Sequence, residues 1–150
     1  MSDFSKKVVE TQKSAVYVWL GLLLAMTLFY VQSQLVFVHG PARQATVMTV
    51  VLFVLGGITY LLASAFFDRY ALLKWEDWRR LNGSDRKQQI LVGFVFQWIL
   101  FETLGLYGVL LSVFRQDKVW ALPFLVLAYI GFLRSFPRKH KLTPFFPEDK

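Results

Sequence analysis

Four long apolar runs, parted by short polar breaks, constrain this chain more than any other feature. They cover about residues 15–38, 45–67, 90–114 and 119–136. The third, Ile90 to Phe114, is 25 residues long and holds one carboxylic acid, Glu102, as its thirteenth residue. A helical run of about 18 or more apolar residues is long enough to cross the ~30 Å hydrocarbon core of a bilayer. Lipid offers the backbone no hydrogen-bond partners, so a spanning segment is a helix or part of a closed barrel. The first three runs are about twice the length of a barrel strand. The expected fold is therefore all-α, a polytopic membrane protein with a four-transmembrane-helix bundle. The fourth run is the shortest and contains Pro123, which is tolerated near a helix start, and Arg134 at its end is expected to snorkel.

Composition agrees and removes several classes of function. With 55% hydrophobic residues, the chain has too little polar surface to cover a soluble core. It has no cysteine, which excludes disulfides, thiolate metal sites and thiol catalysis. His39 and His140 stand 101 positions apart in different connections, so no histidine metal site is expected. The net charge of +7 does not point to nucleic acid, because its distribution follows the apolar runs. Three Lys and Arg lie in the head, six in the central connection and five from Arg134 onward, against three (Arg43, Arg115, Lys118) in the other two connections. Fourteen against three is a strong positive-inside bias, so both termini are expected in the cytoplasm. The expected location is a multi-pass position in a bacterial inner (plasma) membrane.

In chain order, residues 1–14 form a short polar head. The run that follows is too long for a signal peptide and lacks a small-residue cleavage site, so it is expected to stay as the first span. Gln32, Ser33 and Gln34 near its end either face other helices or mark the exit from the membrane. His39-Gly40-Pro41 breaks the helix, and the short connection predicts that the second span is an antiparallel neighbour of the first. Residues 68–89 form the one sizeable polar connection. There Trp75, Trp78, Arg79 and Arg80 read as an interfacial, lipid-facing set, with aromatics at headgroup level and cations toward anionic lipid. Ser84 or Asp85 is placed to cap the third helix. Arg115 to Lys118 is a tight hairpin turn, and the tail, residues 137–150, is expected to be irregular and cytoplasmic. Tyr17, Trp19, Trp120 and Tyr129 read as interface aromatics.

Glu102 is the costly residue. An ionised acid at the bilayer centre costs at least ~2.5–3.5 kcal/mol, and no Lys or Arg lies within the surrounding apolar run to pair with it. It is therefore expected to rest as the neutral, protonated acid at neutral pH. With Glu102 at zero on a helical wheel, Gly105 falls near about −60°, Ser112 near about −80°, Gly108 near about −120° and Gln97 near about −140°. One side of the helix is thus small and polar, with the acid at its margin, and such a strip lets another helix approach closely. Two readings are open. A protonated acid that ionises when water or a cation arrives suits proton or cation handling in transport or energy coupling. A neutral acid can also hydrogen-bond a neighbouring helix, through Gln32, Thr59 or Ser64 for example, in a non-enzymatic assembly or scaffold subunit.

Phe101-Glu102-Thr103-Leu104-Gly105-Leu106-Tyr107-Gly108-Val109-Leu110-Leu111 resembles the carboxylate helix of the rotor-ring subunit c of ATP synthases, where a Glu precedes small and aliphatic residues and then Tyr-Gly. Asp85-Arg86-Lys87-Gln88-Gln89 is similar to that family's cytoplasmic loop. The resemblance is confined to this helix, and it implies that Glu102 matches the ion-carrying carboxylate. A weaker internal echo links Ala25-Met26-Thr27-Leu28-Phe29-Tyr30 to Glu102–Tyr107.

The chain has no phosphate-binding glycine loop and no nucleophile beside a base. No catalytic residue, metal ligand or cofactor is expected, and the protein is read as a non-enzyme. Its expected partners are the bilayer, with anionic lipid on the cytoplasmic side, and other membrane subunits or copies of itself.

Overall fold

The computed structural model describes residues 3–36, 46–73 and 83–146. Every regular element among them is helical. They are α1 (Asp3–Val36), α2 (Thr46–Leu73), α3 (Gly83–Arg115), α4 (Leu122–Arg134) and the four-residue α5 (Lys139–Leu142). Short 3-10 turns precede α4 and follow α5. Three helices are long and apolar enough to cross a membrane, over Lys6–Leu35, Thr46–Phe66 and Ser84–Arg115. Their outward faces are apolar as well: Leu24, Leu28, Val50, Val54, Leu61 and Val92 are all exposed. A large exposed apolar surface of this kind is what lipid-facing helices present.

The helix α3 is the centre of the molecule. It packs against α1, α2 and α4, whereas α1 and α2 barely touch. This corrects the expectation that the second span neighbours the first. The residue pattern gives the reason. Buried residues on α1 form one stripe, with Val8, Thr11, Ala15, Trp19, Met26 and Ser33 at spacings of three, four or seven, which is one face of a helix. On α2 the buried stripe is Leu52, Gly56, Thr59 and Ala63. On α3 the exposed residues are the narrow stripe: Val92, Phe96, Ile99, Leu106, Leu110 and Phe114. A helix with one narrow lipid-facing stripe must sit amid its neighbours, and helices with one narrow buried stripe need only one contact face.

Contacts along α3 fix the directions. Ala63 lies by Gln97 and Thr49 by Arg115, so α2 is antiparallel to it. Met26 lies by Gly105 and Gln34 by Ser112, so α1 is parallel to it. Ala121 and Phe124 lie by Gly108 and Ser135 by Trp98, so α4 runs back antiparallel. The turn into α4 is as tight as its sequence suggests. Gln116 adopts a left-handed φ of 53°, and the Asp117 carboxylate accepts a hydrogen bond from the Val119 N–H at 3.0 Å.

The fourth apolar run becomes a helix of 13 residues, only about 20 Å long, preceded by the 3-10 turn Lys118–Ala121. It covers α3 from Gly108 to Trp98 and stops there. Beyond that point the rest of the chain takes over. The tail is not loose, since Pro137, Leu142, Phe145 and Phe146 are buried. The last three join the apolar cluster that contains Val8 of α1 and Ile90 and Phe94 of α3. The starts of α1 and α3 and the end of the described chain therefore share one end of the molecule. Within the polar stretch 68–89, α2 continues to Leu73 and α3 begins at Gly83. Trp75, Trp78, Arg79 and Arg80 lie outside the described residues, as do His39, Gly40 and Pro41.

Candidate functional site

Around Glu102 the helix packing leaves space. A cavity of about 180 Å³ lies between α1 and α3, where Met26, Phe29 and Tyr30 of α1 face Glu102, Gly105 and Val109 of α3. Leu125 of α4 closes its far side. Gly105 makes the space: a Cβ built there would sit 3.6 Å from the Met26 side chain, in ordinary contact and without overlap. Apart from the carboxyl group and the Tyr30 hydroxyl, the walls are hydrocarbon, aromatic ring and thioether. Glu102 is half-buried against them.

No side chain among the described residues hydrogen-bonds or ion-pairs with Glu102. The intrachain partners considered for it are elsewhere. Gln32 is exposed, Thr59 is buried on α2, and Ser64 lines a different cavity. Among the described residues, hydrogen bonding is therefore not what holds Glu102 in place.

The small and polar strip is used differently from the acid. Gln97 donates from Nε2 to the Ala63 carbonyl of α2 at 2.9 Å. Ser112 donates to the Val109 carbonyl at 2.8 Å and accepts from Gln34 Nε2 at 3.3 Å. Gly108 meets the turn before α4 so closely that a Cβ would lie 2.9 Å from the Ala121 carbonyl oxygen. Gln97, Gly105, Gly108 and Ser112 thus each face one of the chain's own helices α1, α2 and α4. Of the pair Ser33 and Gln34, both are buried and face the bundle.

Sequence reasoning missed the far wall of the cavity and the roles of two tryptophans. Met26, Phe29 and Tyr30 read as ordinary span residues, although the internal echo between Ala25–Tyr30 and Glu102–Tyr107 joins the two stretches that meet here. Trp19 is 7% exposed and no interface residue, and its Nε1 donates to the Phe132 carbonyl at 2.9 Å. Trp98 donates from Nε1 to Ser135 Oγ at 3.0 Å, and Ser135 Oγ donates to the same Phe132 carbonyl at 3.0 Å. The last carbonyls of a helix have no partner within it. Here Gly131 and Leu133 are served by the backbone N–H groups of Ser135 and Phe136. Lys141 Nζ reaches Arg134 O at 2.9 Å. The last carbonyls of α4 are thus satisfied by the Trp19 indole, the Ser135 hydroxyl, the Lys141 ammonium and the following backbone, while the Trp98 indole holds Ser135. Trp120 stacks under the Arg115 guanidinium at 3.9 Å, and the Tyr129 hydroxyl bonds Thr27 Oγ1 of α1 at 2.7 Å. Tyr17 alone of the four aromatics is largely exposed.

The described residues contain no cluster of three His, Asp or Glu able to hold a metal ion. No family model matches the chain, and neither a curated protein nor a solved structure is similar to it.

Proposed function

We propose that this chain is a multi-pass inner-membrane protein, with both termini in the cytoplasm, in which Glu102 takes up and releases a proton or small cation during transport or energy coupling. One observation carries the reading: the only carboxyl group in the middle of α3 stands without a partner beside a cavity. An acid kept at that depth has a cost that helix packing alone does not require. Gln97 and Ser112 on α3 are hydrogen-bonded to α2 and α1, so the fold can supply partners, and among the described residues it supplies none to Glu102. The shared end of α1, α3 and the tail carries the excess of Lys and Arg, which favours that end as cytoplasmic. On this topology α4, with the turn before it, makes the fourth, short crossing.

The resemblance of residues 101–111 to the subunit c carboxylate helix supports the same role for Glu102. It extends to one helix, and the proposal is a small membrane protein that uses a similar motif. A second reading has its own support. The groove between α1 and α3 opens to the side, so a partner helix could bring a hydrogen-bonding group to Glu102 in an assembly subunit.

Two measurements on the reconstituted chain decide between them. At neutral pH a hydrophobic carbodiimide should label Glu102, because the reagent needs a protonated carboxyl in an apolar site. Proton or cation flux into liposomes should be lost in Glu102→Gln while the oligomer is unchanged. Flux equal in the two proteins would overturn the transport reading. Oligomers that survive Glu102→Gln and dissociate in Glu102→Leu would establish the assembly role in its place.

A further inference from the structure

A second cavity, of about 170 Å³, lies where α4 ends, at the side of α3 away from Glu102. Its walls are Ser64 of α2, Gln97 and Phe101 of α3, and Arg134, Ser135 and Lys141 around the end of α4. Among the described residues, two cationic side chains line it and no acidic one does. That alone would describe any basic membrane surface. The second observation is Gln97. It is 5% exposed, its Nε2 is committed to Ala63, and its Oε1 is buried without a hydrogen-bond donor. A buried amide oxygen left unmet is unfavourable by ~1–3 kcal/mol, and few are left so in native proteins.

The remaining polar atoms show what would complete the site. Ser135 has already donated its proton to Phe132 and accepted one from Trp98. Ser64 is uncommitted among the described residues and can donate. The Arg134 guanidinium is exposed and offers paired N–H groups in the geometry that fits a phosphate. Lys141 Nζ keeps the Arg134 carbonyl. The site therefore needs an anion with bidentate acceptor oxygens at its mouth and a hydrogen-bond donor about one group deeper, toward Gln97 Oε1. Phe101 supplies an apolar wall.

We propose that this cavity binds the headgroup of a membrane phospholipid, with the phosphate on Arg134 and a headgroup hydroxyl or ammonium donating to Gln97 Oε1. Its place supports a lipid in preference to a soluble anion. It opens at the basic end of the bundle, where α4 stops short along α3 and leaves a notch beside apolar helix surface. The site is separate from Glu102 and does not depend on what Glu102 does.

Native mass spectrometry of the delipidated full chain in mild detergent tests this, with added phosphatidylglycerol, phosphatidylethanolamine, phosphatidylcholine or inorganic phosphate. One molecule of phosphatidylglycerol or phosphatidylethanolamine should bind more tightly than phosphatidylcholine, whose headgroup has no N–H or O–H donor. Arg134→Gln should weaken all three lipids about tenfold, the effect of losing one charge-assisted contact. Gln97→Leu should abolish the preference over phosphatidylcholine and leave phosphate-driven binding. Because Gln97 also bridges to α2, Gln97→Glu is the second variant: it keeps the size and should favour phosphatidylethanolamine over phosphatidylglycerol. Equal binding of the three lipids by the wild-type chain would overturn the proposal, as would unchanged affinity in Arg134→Gln. Inorganic phosphate bound as tightly as phosphatidylglycerol would overturn the lipid assignment.

Discussion

Where Gly108 and Phe101 of α3 meet α4, the two helices touch without spare room; toward α1, a cavity stands open beside Glu102. Toward α4 the Phe101 ring lies flat against Gly131, so that a Cβ on that glycine would overlap it, and Gly108 has the Ala121 backbone within contact distance. The last four carbonyls of α4 each have a partner. Toward α1 the spacing is looser, and Glu102 has no partner there among the described residues. Lipid-facing helices gain little from the hydrophobic effect and are held by packing and interhelical hydrogen bonds. The tight side therefore holds the bundle together, and the loose side is free to be a site.

Three substitutions test that division. The largest effect is expected from Gly131→Ala, where the new methyl must displace an aromatic ring buried on all sides. Overpacking of this kind costs ~1–3 kcal/mol, and unfolding in mild detergent should show a loss at the upper end of that range. Wild-type stability in this variant would mean that the α3–α4 contact is loose too, and the contrast would fail. Next comes Trp98→Phe, which keeps the ring stack on Phe94 and removes the donor to Ser135. A loss of about 1 kcal/mol is expected, the ordinary net worth of a buried hydrogen bond. The smallest effect belongs to Gly105→Ala on the open side. It should shift stability by less than about 0.5 kcal/mol, the range of substitutions that meet ordinary contact. Its use is that carbodiimide labelling of Glu102 should slow as the cavity narrows, with no change in unfolding.

Much of the helical order was legible from residue pattern, and the reasons are physical. Length and hydropathy locate the first three long helices, because lipid solvation demands both. The packing faces of α3 were legible as well, since small residues at helical spacing permit only close approach. Which helices fill those faces was not legible. The wheel places Gly108 and Gln97 on one strip, yet one meets α4 and the other α2, a choice set by the geometry of four bodies at once. The length of the fourth helix was not legible either: the apolar run Val119 to Leu133 begins as the 3-10 turn Lys118–Ala121, and the α-helix covers only Leu122–Arg134. The buried tail was invisible because Leu142, Phe145 and Phe146 are scattered among basic and proline residues with no periodicity. Glu102 needed no structure to be noticed, whereas its lack of a partner did.

The central position of α3 also sets an order of events as the chain is made. On the membrane topology proposed here, α1 and α2 insert first, and neither offers the other a packing face. The next 42 residues, 74 to 115, must be synthesised before α3 is complete. At ~5–20 residues per second this takes roughly 2–8 s. Through that interval Thr27, Ser33 and Gln34 on α1, and Thr59 on α2, face lipid or other proteins in the insertion machinery. The first half of the chain is thus a pair of unmatched helices waiting for their common partner. Expressed alone, residues 1–73 should insert but remain unpacked and open to proteases. Co-expressed with residues 74–150, they should recover the protection of the whole protein.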